Sequence, residues 1–330
     1  MPLPLVGIIA NPASGRDIRR LVAHGTVFDN NEKMAIVRRA LLGLYAVGGR
    51  RVAYMPELDF GIVERALAGQ NIPIEAEPLS MPVLGTDVDS TRAAQLLAEA
   101  GAGCIITLGG DGTNRAAAKG CGCVPLIPIS TGTNNVFPSF LEGTLAGMAA
   151  GLVAAGLVGR DVVRRAPWLE VLVDGQSRDR ALVDVVVSAV PFIGARAVWD
   201  LSQVREAVLS QVRPGTIGLS SLGGALLDGA VPEGEVCGMH ILLGGDGRQV
   251  LVPLAPGLIS WVSVRAYSPL CRGESVRLQT GTGTVALDGE REIELAATSL
   301  VEVRLRDDGP FVVDVPAALA AAARAGHFRR

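Results

Sequence analysis

Lysine is nearly absent from this chain of 330 residues, in which only Lys33 and Lys119 occur. Aromatic residues make up 4% of the sequence, and the formal net charge is −3, without any block of basic residues. Proteins bind nucleic acids and anionic membranes through clustered positive charge, and they bind single-stranded bases by aromatic stacking. The composition therefore excludes nucleic acid as the main partner and gives no sign of a membrane-docking surface.

A secretory leader and a membrane span are not indicated either. The opening MPLPLVGIIANP has no basic segment and no cleavage motif, and the five cysteines are an odd number in a long chain, so we expect a reduced, cytoplasmic protein. Cys121 and Cys123 have no second Cys/His pair nearby, and zinc needs about four ligands. The uncharged segment at residues 143–159 is shorter than the roughly 20 apolar residues of a span, and we predict a closely packed helix between domains instead.

The usual signatures of nucleotide enzymes and hydrolases are also missing. The chain has no GxxxxGK[ST] sequence, no GxGxxG after a strand, no HRD…DFG set and no GxSxG nucleophile elbow. These absences exclude a P-loop enzyme, a protein kinase and an α/β-hydrolase.

The first part of the chain alternates between two kinds of pattern. Apolar runs typical of strands, such as PLVGIIA, GCIITLG and VPLIPIS, alternate with segments of helical periodicity such as EKMAIVRRALLGLYAVGG. Alternating strands and helices are typical of βαβ units, which build a parallel sheet covered on both faces. We therefore predict an α/β fold whose first domain, residues 1–140, is a Rossmann-like parallel-sheet domain.

After about Arg160 the pattern changes to short strands, and WLEVLVDGQSRDRALVDVVVSAV predicts two strands around the turn Asp174–Gly175. Glycine pairs punctuate later strands, as in EVCGMHILLGGDGRQVLVPLAPG. This pattern is typical of a mostly antiparallel β domain. We place the inter-domain helix and this β domain at residues 141–315, with one further helix at about Ser202–Gln211. The alanine-rich tail predicts a C-terminal helix at residues 316–330, which can return to the first domain.

The pentapeptide LGGDG occurs twice, at Leu108–Gly112 and at Leu243–Gly247. The second copy stands between two strand patterns, where Asp-Gly predicts a hairpin turn at the surface. The first copy stands between a buried strand and a helix, which in an open α/β sheet is the edge where ligands bind. Its glycines let the backbone approach an anion, the helix that follows favours phosphate at its N-terminus, and Asp111 adds a carboxylate that a plain turn does not need. We therefore predict that only the first copy carries chemistry.

GGDGT after a buried strand, together with NPASG after the first strand, resembles the ATP-NAD kinase and diacylglycerol kinase superfamily. TGTNN, which follows the next predicted strand VPLIPIS, resembles the GTxND element of the lipid kinases, with Asn135 in place of the acidic residue. ALVDVVV, PGTIGLSSLGGAL, VPLAPGLISWVSV and ALDGE resemble later segments of the NAD kinases, with Val183 where those enzymes have Asn. The resemblance spans nearly the whole chain and is greatest to the acetoin catabolism X proteins, a bacterial branch grouped with the ATP-NAD kinases.

The resemblance implies that the first domain binds ATP with Mg²⁺ and that the β domain helps to bind the acceptor. The absence of a P-loop and the scarcity of lysine predict that this nucleotide site has no lysine clamp. The residues implied in ATP binding lie in three loops of the first domain: Asn11, Ser14, Gly15, Gly109, Gly110, Gly112, Thr113, Asn114, Thr131, Gly132, Thr133 and Asn134. The implied catalytic residues are Asp111, Asp288 and Glu290, and the implied metal ligands are Asp111 and Asp288. The residues implied in acceptor binding are Asp184, Ser220 and Ser221.

The same residues have simpler interpretations that the sequence leaves open. Asn11–Pro12 and the TGTNN segment also fit ordinary turns, and Asp288 in LDGE fits a hairpin turn between strands. Asp184 fits an exposed strand residue. Each of these positions is therefore a functional candidate with a structural alternative.

The leading functional prediction is ATP-dependent phosphorylation of a hydroxyl on a small soluble compound, with NAD as the first candidate and a link to acetoin catabolism by resemblance. A lipid kinase is the second prediction, favoured by TGTNN. A non-catalytic, nucleotide-binding regulatory protein is the third, because Asn135 and Val183 replace other polar residues of the relatives. We expect a homo-oligomer.

Overall fold

The structure, a computed structural model, describes residues 3–14, 28–69, 72–190, 201–227, 238–279 and 281–329. The strands in these ranges are β1 (Leu5–Ala10), β2 (Arg51–Tyr54), β3 (Glu75–Pro78), β4 (Cys104–Gly109), β5 (Leu126–Ser130), β6 (Val163–Arg165), β7 (Trp168–Val173), β8 (Gln176–Ala181), β9 (Asp184–Ser188), β10 (Val204–Leu209), β11 (Gly238–Ala255), β12 (Leu258–Leu270), β13 (Ser275–Arg277), β14 (Gly283–Leu287), β15 (Glu290–Leu295), β16 (Val301–Arg306) and β17 (Phe311–Val313). The helices are α1 (Asn30–Ala46), α2 (Ile62–Leu67), α3 (Asp87–Glu99), α4 (Asp111–Gly120), α5 (Gly143–Ala154), α6 (Leu219–Leu226) and α7 (Val315–Arg324).

The first part of the chain forms a seven-stranded sheet in the order β3-β2-β1-β4-β5-β17-β6. All neighbouring strands are parallel except β6, which is antiparallel to β17. Every residue of β1, β4 and β5 is buried, as expected of strands covered on both faces. One face packs against α1 and α5, and the other packs against α3 and α4. The predicted N-terminal parallel-sheet domain is confirmed.

The second part of the chain forms two antiparallel sheets that pack on each other. The larger sheet has the order β12-β11-β10-β9-β14-β15, and the smaller has the order β13-β16-β7-β8. Val185, Val187 and Val285 of the larger sheet face Val171 and Val303 of the smaller one in a common apolar core. Helix α6 covers the outer face of the larger sheet. The predicted C-terminal, mostly antiparallel β domain is therefore confirmed.

The C-terminal part of the chain contributes to the parallel sheet. Strand β17 lies between β5 and β6, and α7 packs against α5 through Val315 and Ala318. The two domains also share a small apolar cluster in which Trp168, Leu182 and Val183 pack against residues of the first domain. The domain boundaries at residues 140 and 315 stay predictions.

The predicted helix at about Ser202–Gln211 is wrong, because residues Val204–Leu209 form the central strand β10. The segment VREAVL has apolar residues that fit a helical face as well as a strand, so its periodicity does not decide. Hydrogen bonds to β9 on one side and to β11 on the other decide for the strand. Tertiary pairing thus overrides local preference here.

The second LGGDG copy is a bulge rather than the predicted hairpin turn. Strand β11 continues through it, and Leu243 and Arg248 are both in register with Val264, so the four residues between them loop out. Gly244 and Gly245 take φ values of +89° and +70°, which glycine adopts without strain. The chain reverses only after Ala255 and re-enters the sheet at β12. The prediction of a surface position without catalytic geometry is unaffected, because Gly244–Asp246 are exposed.

Helix α5, which we predicted to lie between the domains, packs against α1 and the parallel sheet. Glycine is required at the contact with α1, because a Cβ on Gly147 would collide with the carbonyl oxygen of Ala40, and one on Gly43 with that of Thr144. Among the described residues, no helix combines the length and the apolar character needed to cross a membrane.

Candidate active site

The first LGGDG copy joins β4 directly to α4, with Gly110 at the N-cap and Asp111 as the first helical residue. The helix thus begins within the pentapeptide itself. Glycine is required at position 109 by crowding rather than by an unusual φ, and Gly110 is closely approached by the side chain of Asn135. A Cβ on Gly109 would collide with the Thr113 side chain, and one on Gly110 would lie 2.8 Å from Oδ1 of Asn135. The backbone at the N-terminus of α4 is therefore closely approached by the neighbouring loop.

Asp111 connects the start of α4 to the loop that follows β5. Its Oδ1 accepts hydrogen bonds from the backbone N–H groups of Val136, at 3.1 Å, and Phe137, at 2.8 Å. The residue is 9% exposed. A carboxylate in the first turn is also favoured by the helix dipole. These contacts fix the orientation of the carboxylate at the carboxyl edge of the sheet.

The loop after β1 meets the other two loops through side-chain hydrogen bonds. Asn11 Nδ2 donates to Thr113 Oγ1 at 2.9 Å, and Asn11 Oδ1 accepts from the N–H of Ala13 at 2.9 Å. Ser14 Oγ donates to the Asn11 carbonyl at 2.8 Å and lies 3.1 Å from Thr131 Oγ1. The structure therefore brings together Asn11, Ser14, Thr113 and Thr131, as the sequence predicts. Gly15, also predicted to bind ATP, lies outside the described residues.

Asn114 is placed in the interior of this loop rather than toward a ligand. It is fully buried, its Oδ1 accepts from Thr107 Oγ1 at 2.6 Å, and its Nδ2 donates to the Gly110 carbonyl at 2.9 Å. Both ends of the amide are thus used to fix the turn between β4 and α4. Asn114 shapes the loop, which differs from the predicted contact with ATP.

The TGTNN segment is braced by Asn135, the residue that replaces the acid of the lipid kinases. Its Nδ2 donates to Ser130 Oγ at 2.8 Å and to the Gly132 carbonyl at 3.1 Å. An aspartate cannot donate either hydrogen bond. The structure thus explains Asn135 as a loop-building residue, and it leaves Thr133 and Asn134 half-buried at the same edge.

Lys33 is a site residue that the sequence analysis missed. Its side chain is fully buried, and its ammonium donates to the carbonyls of Asn11, Pro12 and Ser14 at 2.9, 3.2 and 2.6 Å. It also donates to Asn30 Oδ1 at 3.0 Å. The ammonium thus holds the loop after β1 by its carbonyl oxygens. The scarcity of lysine was the available signal, since both lysines of the chain prove to have specific partners.

Asp288, predicted as a catalytic residue and metal ligand, is placed in a different environment. It is buried, and its oxygens accept from the N–H groups of Leu182, Val183 and Asp184 at 3.1, 2.7 and 3.3 Å. Burial raises its pKa, while Arg115 and these N–H groups favour the ionised form. Unlike that of Asp111, the side chain of Asp288 is fully buried, with backbone donors on both oxygens and the Arg115 guanidinium 3.6 Å away, so neither oxygen is open to a substrate or a metal ion. We correct Asp288 to a structural carboxylate.

Glu290, the other late carboxylate, reaches the N-terminus of α4. A Cβ on Gly112 would lie 3.6 Å from Oε1 of Glu290. The residue is half-buried and belongs to the β domain, whereas Gly112 belongs to the first domain. Glu290 and Asp111 are thus brought to the same helix end from the two domains.

The residues predicted to bind the acceptor lie in the β domain. Asp184 begins β9 and is 8% exposed, and its strand neighbour across the sheet is Leu209. Ser220 and Ser221 lie on helix α6. Ser221 Oγ donates to the Gly218 carbonyl at 2.6 Å. The hydroxyl of Ser220 is buried and has no hydrogen-bond partner within the described ranges.

A protein-built metal centre does not fit these residues. Across the described parts of the chain, no group of three or more His, Cys, Asp or Glu side chains is arranged to hold a metal ion. Mg²⁺ in nucleotide sites is commonly held by one or two carboxylates together with substrate phosphates and water. The prediction that Asp111 binds Mg²⁺ therefore stays a prediction, whereas the full burial of the Asp288 side chain does not fit a metal ligand.

Comparison with known proteins gives matches over both domains. Residues 6–157 match the ATP-NAD kinase N-terminal domain, and residues 167–308 match the acetoin catabolism protein X C-terminal domain. Acetoin catabolism protein X of Cupriavidus necator is 39% identical over 334 aligned residues, covering 97% of this chain and 93% of that protein.

Solved structures with the same architecture include a yeast NADH kinase complexed with NADH. It matches with a TM-score of 0.55 and 13% identity over 98% of this chain and 88% of that one, which shows a shared fold. A diacylglycerol kinase from Bacillus anthracis str. Sterne matches with a TM-score of 0.42 and 15% identity over 96% of this chain and 99% of that one, and the assignment does not depend on it. Because a relative matches over nearly its whole length and both domains match family models, the chain belongs to the acetoin catabolism protein X family.

Proposed function

We propose that the protein binds ATP at the carboxyl edge of the parallel sheet and transfers a phosphoryl group to a hydroxyl of a small soluble acceptor. The observation that carries this proposal is the meeting of three loops at the N-terminus of α4, through Asn11–Thr113, Ser14–Thr131 and Asp111 with the loop after β5. Helix N-termini favour phosphate, and phosphoryl transfer depends mainly on positioning and on neutralising charge.

Asp111 is the proposed base for the acceptor hydroxyl. Its carboxylate is held by two backbone N–H groups at the first turn of α4, so its orientation is fixed before substrate binds. A positioned base of this kind contributes about 10²- to 10⁴-fold to a rate. Glu290, which lies beside Gly112, is the second proposed carboxylate of the site. Mg²⁺, when bound with the nucleotide, would offset the charge of the phosphates.

NAD is the first candidate for the acceptor. The chain shares its fold with a yeast NADH kinase whose structure holds NADH, and its first domain matches that of the ATP-NAD kinases. On this chain the proposed acceptor groups are Asp184, Ser220 and Ser221. The hydroxyl of Ser220 is fully buried and has no hydrogen-bond partner in the described ranges, which makes Ser220 the residue of this group to test by substitution.

A non-catalytic, nucleotide-binding role is the second candidate. This role is favoured by the position of Asp288. The N–H groups of Leu182 and Val183 donate to its buried carboxyl group, which therefore does not serve as a catalytic or metal-binding residue. The lipid kinase prediction loses its particular support, because Asn135 builds its loop instead of standing in for an acid at a site.

A binding panel by thermal shift and calorimetry tests the proposal. We expect MgATP and NAD each to raise the melting temperature, and we expect diacylglycerol in detergent to leave it unchanged. A Ser220→Ala variant serves as the acceptor-side probe and is expected to weaken NAD binding but not ATP binding. Binding of ATP without any effect of NAD would favour the regulatory role, and binding of neither would overturn both candidates.

We also propose a cytoplasmic homo-oligomer. Four cysteines of the described chain are free thiols, as in proteins of a reducing compartment. Leu251, Ile259 and Trp261 are 50%, 64% and 65% exposed on the hairpin of β11 and β12, where Leu251 and Trp261 are direct cross-strand neighbours. An exposed apolar surface of this kind supports contact with a second copy of the chain.

A further inference from the structure

Arg115 lies on α4 one turn after Asp111, and its buried side chain crosses into the β domain. Its side chain is 4% exposed. Nη1 lies 3.1 Å from Asp179 Oδ2, Nη2 lies 2.8 Å from Glu292 Oε1, and Nε lies 3.6 Å from Asp288 Oδ2. The three carboxylates raise the pKa of Arg115 although burial acts to lower it. One planar guanidinium thus forms hydrogen-bonded ion pairs with β8 and β15 and places its positive charge beside Asp288, in the turn between β14 and β15. A lysine ammonium cannot reproduce this geometry.

Asp288 passes this constraint on to the strand that carries Asp184. Its carboxylate accepts from the N–H groups of Leu182, Val183 and Asp184, and its own N–H donates to the Asp184 carbonyl at 3.0 Å. Its φ of +51° is rare for a residue other than glycine, and the surrounding hydrogen bonds maintain it. Asp288 is therefore a buried carboxyl group that fixes the backbone at the start of β9.

We infer that Arg115 is a positioning residue that sets the acceptor-binding strand relative to the N-terminus of α4. The charge of Arg115 lies 3.6 Å from Asp288 without a hydrogen bond from Nε, Asp288 accepts from the backbone of residues 182–184, and that backbone carries Asp184. The roles of Asp111 and Asp184 at the two ends of this chain of contacts rest on the proposed function. The contacts themselves do not depend on it.

Lys119 provides a matched control for a merely structural ion pair. It lies one turn beyond Arg115 on the same face of α4, and its Nζ forms an ion pair with Asp179 Oδ1 at 2.6 Å. It therefore also joins the two domains, but no ion pair with Asp288 is found for it in the described ranges. Lys119→Met removes an inter-domain ion pair and leaves the cation beside Asp288 in place.

Hydrogen exchange of individual amides tests the positioning directly and needs no turnover. Arg115→Met removes the positive charge, whereas Arg115→Lys keeps the charge but loses the planar guanidinium that contacts several carboxylates at once. We expect the amides of Leu182, Val183 and Asp184 to exchange about ten-fold faster or more in Arg115→Met, and less so in Arg115→Lys. Lys119→Met is expected to leave them protected. Unchanged exchange in both Arg115 variants, or an equal change in Lys119→Met, would overturn the inference.

Steady-state kinetics with MgATP and NAD give the second readout. We expect Arg115→Lys to lower kcat/KM for NAD by about 10- to 10²-fold, because small misplacements of a bound reactant cost this much, with the affinity for MgATP unchanged. If the affinity for MgATP fell as much as kcat/KM for NAD, Arg115 would contribute to overall stability rather than to the position of the acceptor-binding strand. If the wild-type protein forms no NADP, the proposed function fails, and the exchange experiment still decides whether Arg115 positions the strand. If Arg115→Met does not fold, Arg115→Lys carries both comparisons.

Discussion

Replacing Lys33 by methionine tests the structure of the proposed phosphate-binding loop. The change keeps most of the side-chain volume but removes an ammonium that donates to the carbonyls of Asn11, Pro12 and Ser14 and to Asn30 Oδ1. Hydrogen bonds from a charged group contribute about 1.5–3 kcal/mol each, but methionine also relieves the cost of burying the charge, so we expect a net loss of about 2–4 kcal/mol in the free energy of unfolding.

The other lysine of the chain is the matched control for this experiment. The Lys119 side chain is 27% exposed and, among the described residues, forms one ion pair, with Asp179, so Lys119→Met is expected to cost at most about 1 kcal/mol. Urea unfolding measures both variants, and calorimetry measures the affinity of the Lys33→Met protein for MgATP. We expect that affinity to fall because the loop carbonyls lose their common anchor. Equal stability of the two variants, with unchanged affinity for MgATP, would refute the role of Lys33.

Three further outcomes are expected. Asp111→Asn should lower the rate of phosphoryl transfer by at least about 10²-fold. Asp246→Asn, in the exposed bulge of the second LGGDG copy, should leave the initial rate unchanged. Equal losses of rate in the two variants would contradict the difference between the copies. The Arg306 guanidinium lowers the pKa of Asp308 to about 2 from 3.8, so the ionised carboxylate stabilises the fold above pH 3.8. The loss of unfolding free energy in Asp308→Asn, measured by urea unfolding, should therefore shrink as the pH falls from 3.8 toward 2. A loss that does not change with pH would contradict this role of Asp308. Trp261→Ser should shift the protein toward smaller species in analytical ultracentrifugation, and an unchanged mass would remove this surface as the contact.

Much of the fold could be predicted from the sequence because periodicity reports burial. The uninterrupted apolar runs of β4 and β5 mark strands covered on both faces, and helical patterns between them require parallel connections. β10 could not be predicted in this way, because VREAVL fits either period and only its pairing with β9 and β11 decides. The hairpin turn predicted at the second LGGDG copy was wrong for the same reason. A bulge and a turn need the same glycines and differ only in the register of the strands.

The candidate site could be predicted as far as shared sheet edges allow. Asn11, Asp111 and Thr131 follow parallel strands that end at one edge, so their meeting follows from the topology. The partners of Lys33 and Asp288 could not be predicted, because each depends on which backbone groups a distant segment brings near. Asp288 was placed by resemblance to an acidic motif, and the structure shows that its surroundings are backbone donors. Residue type alone thus does not separate a catalytic carboxylate from a structural one.

The central claim is that the protein phosphorylates a hydroxyl of a small acceptor, with NAD as the first candidate. Its most direct test is incubation of the purified protein with MgATP and NAD, with NADP measured by an NADP-specific dehydrogenase and Asp111→Asn as the control. We predict NADP formation that requires ATP and is lost in the control. Clear binding of ATP without formation of NADP would contradict the NAD assignment.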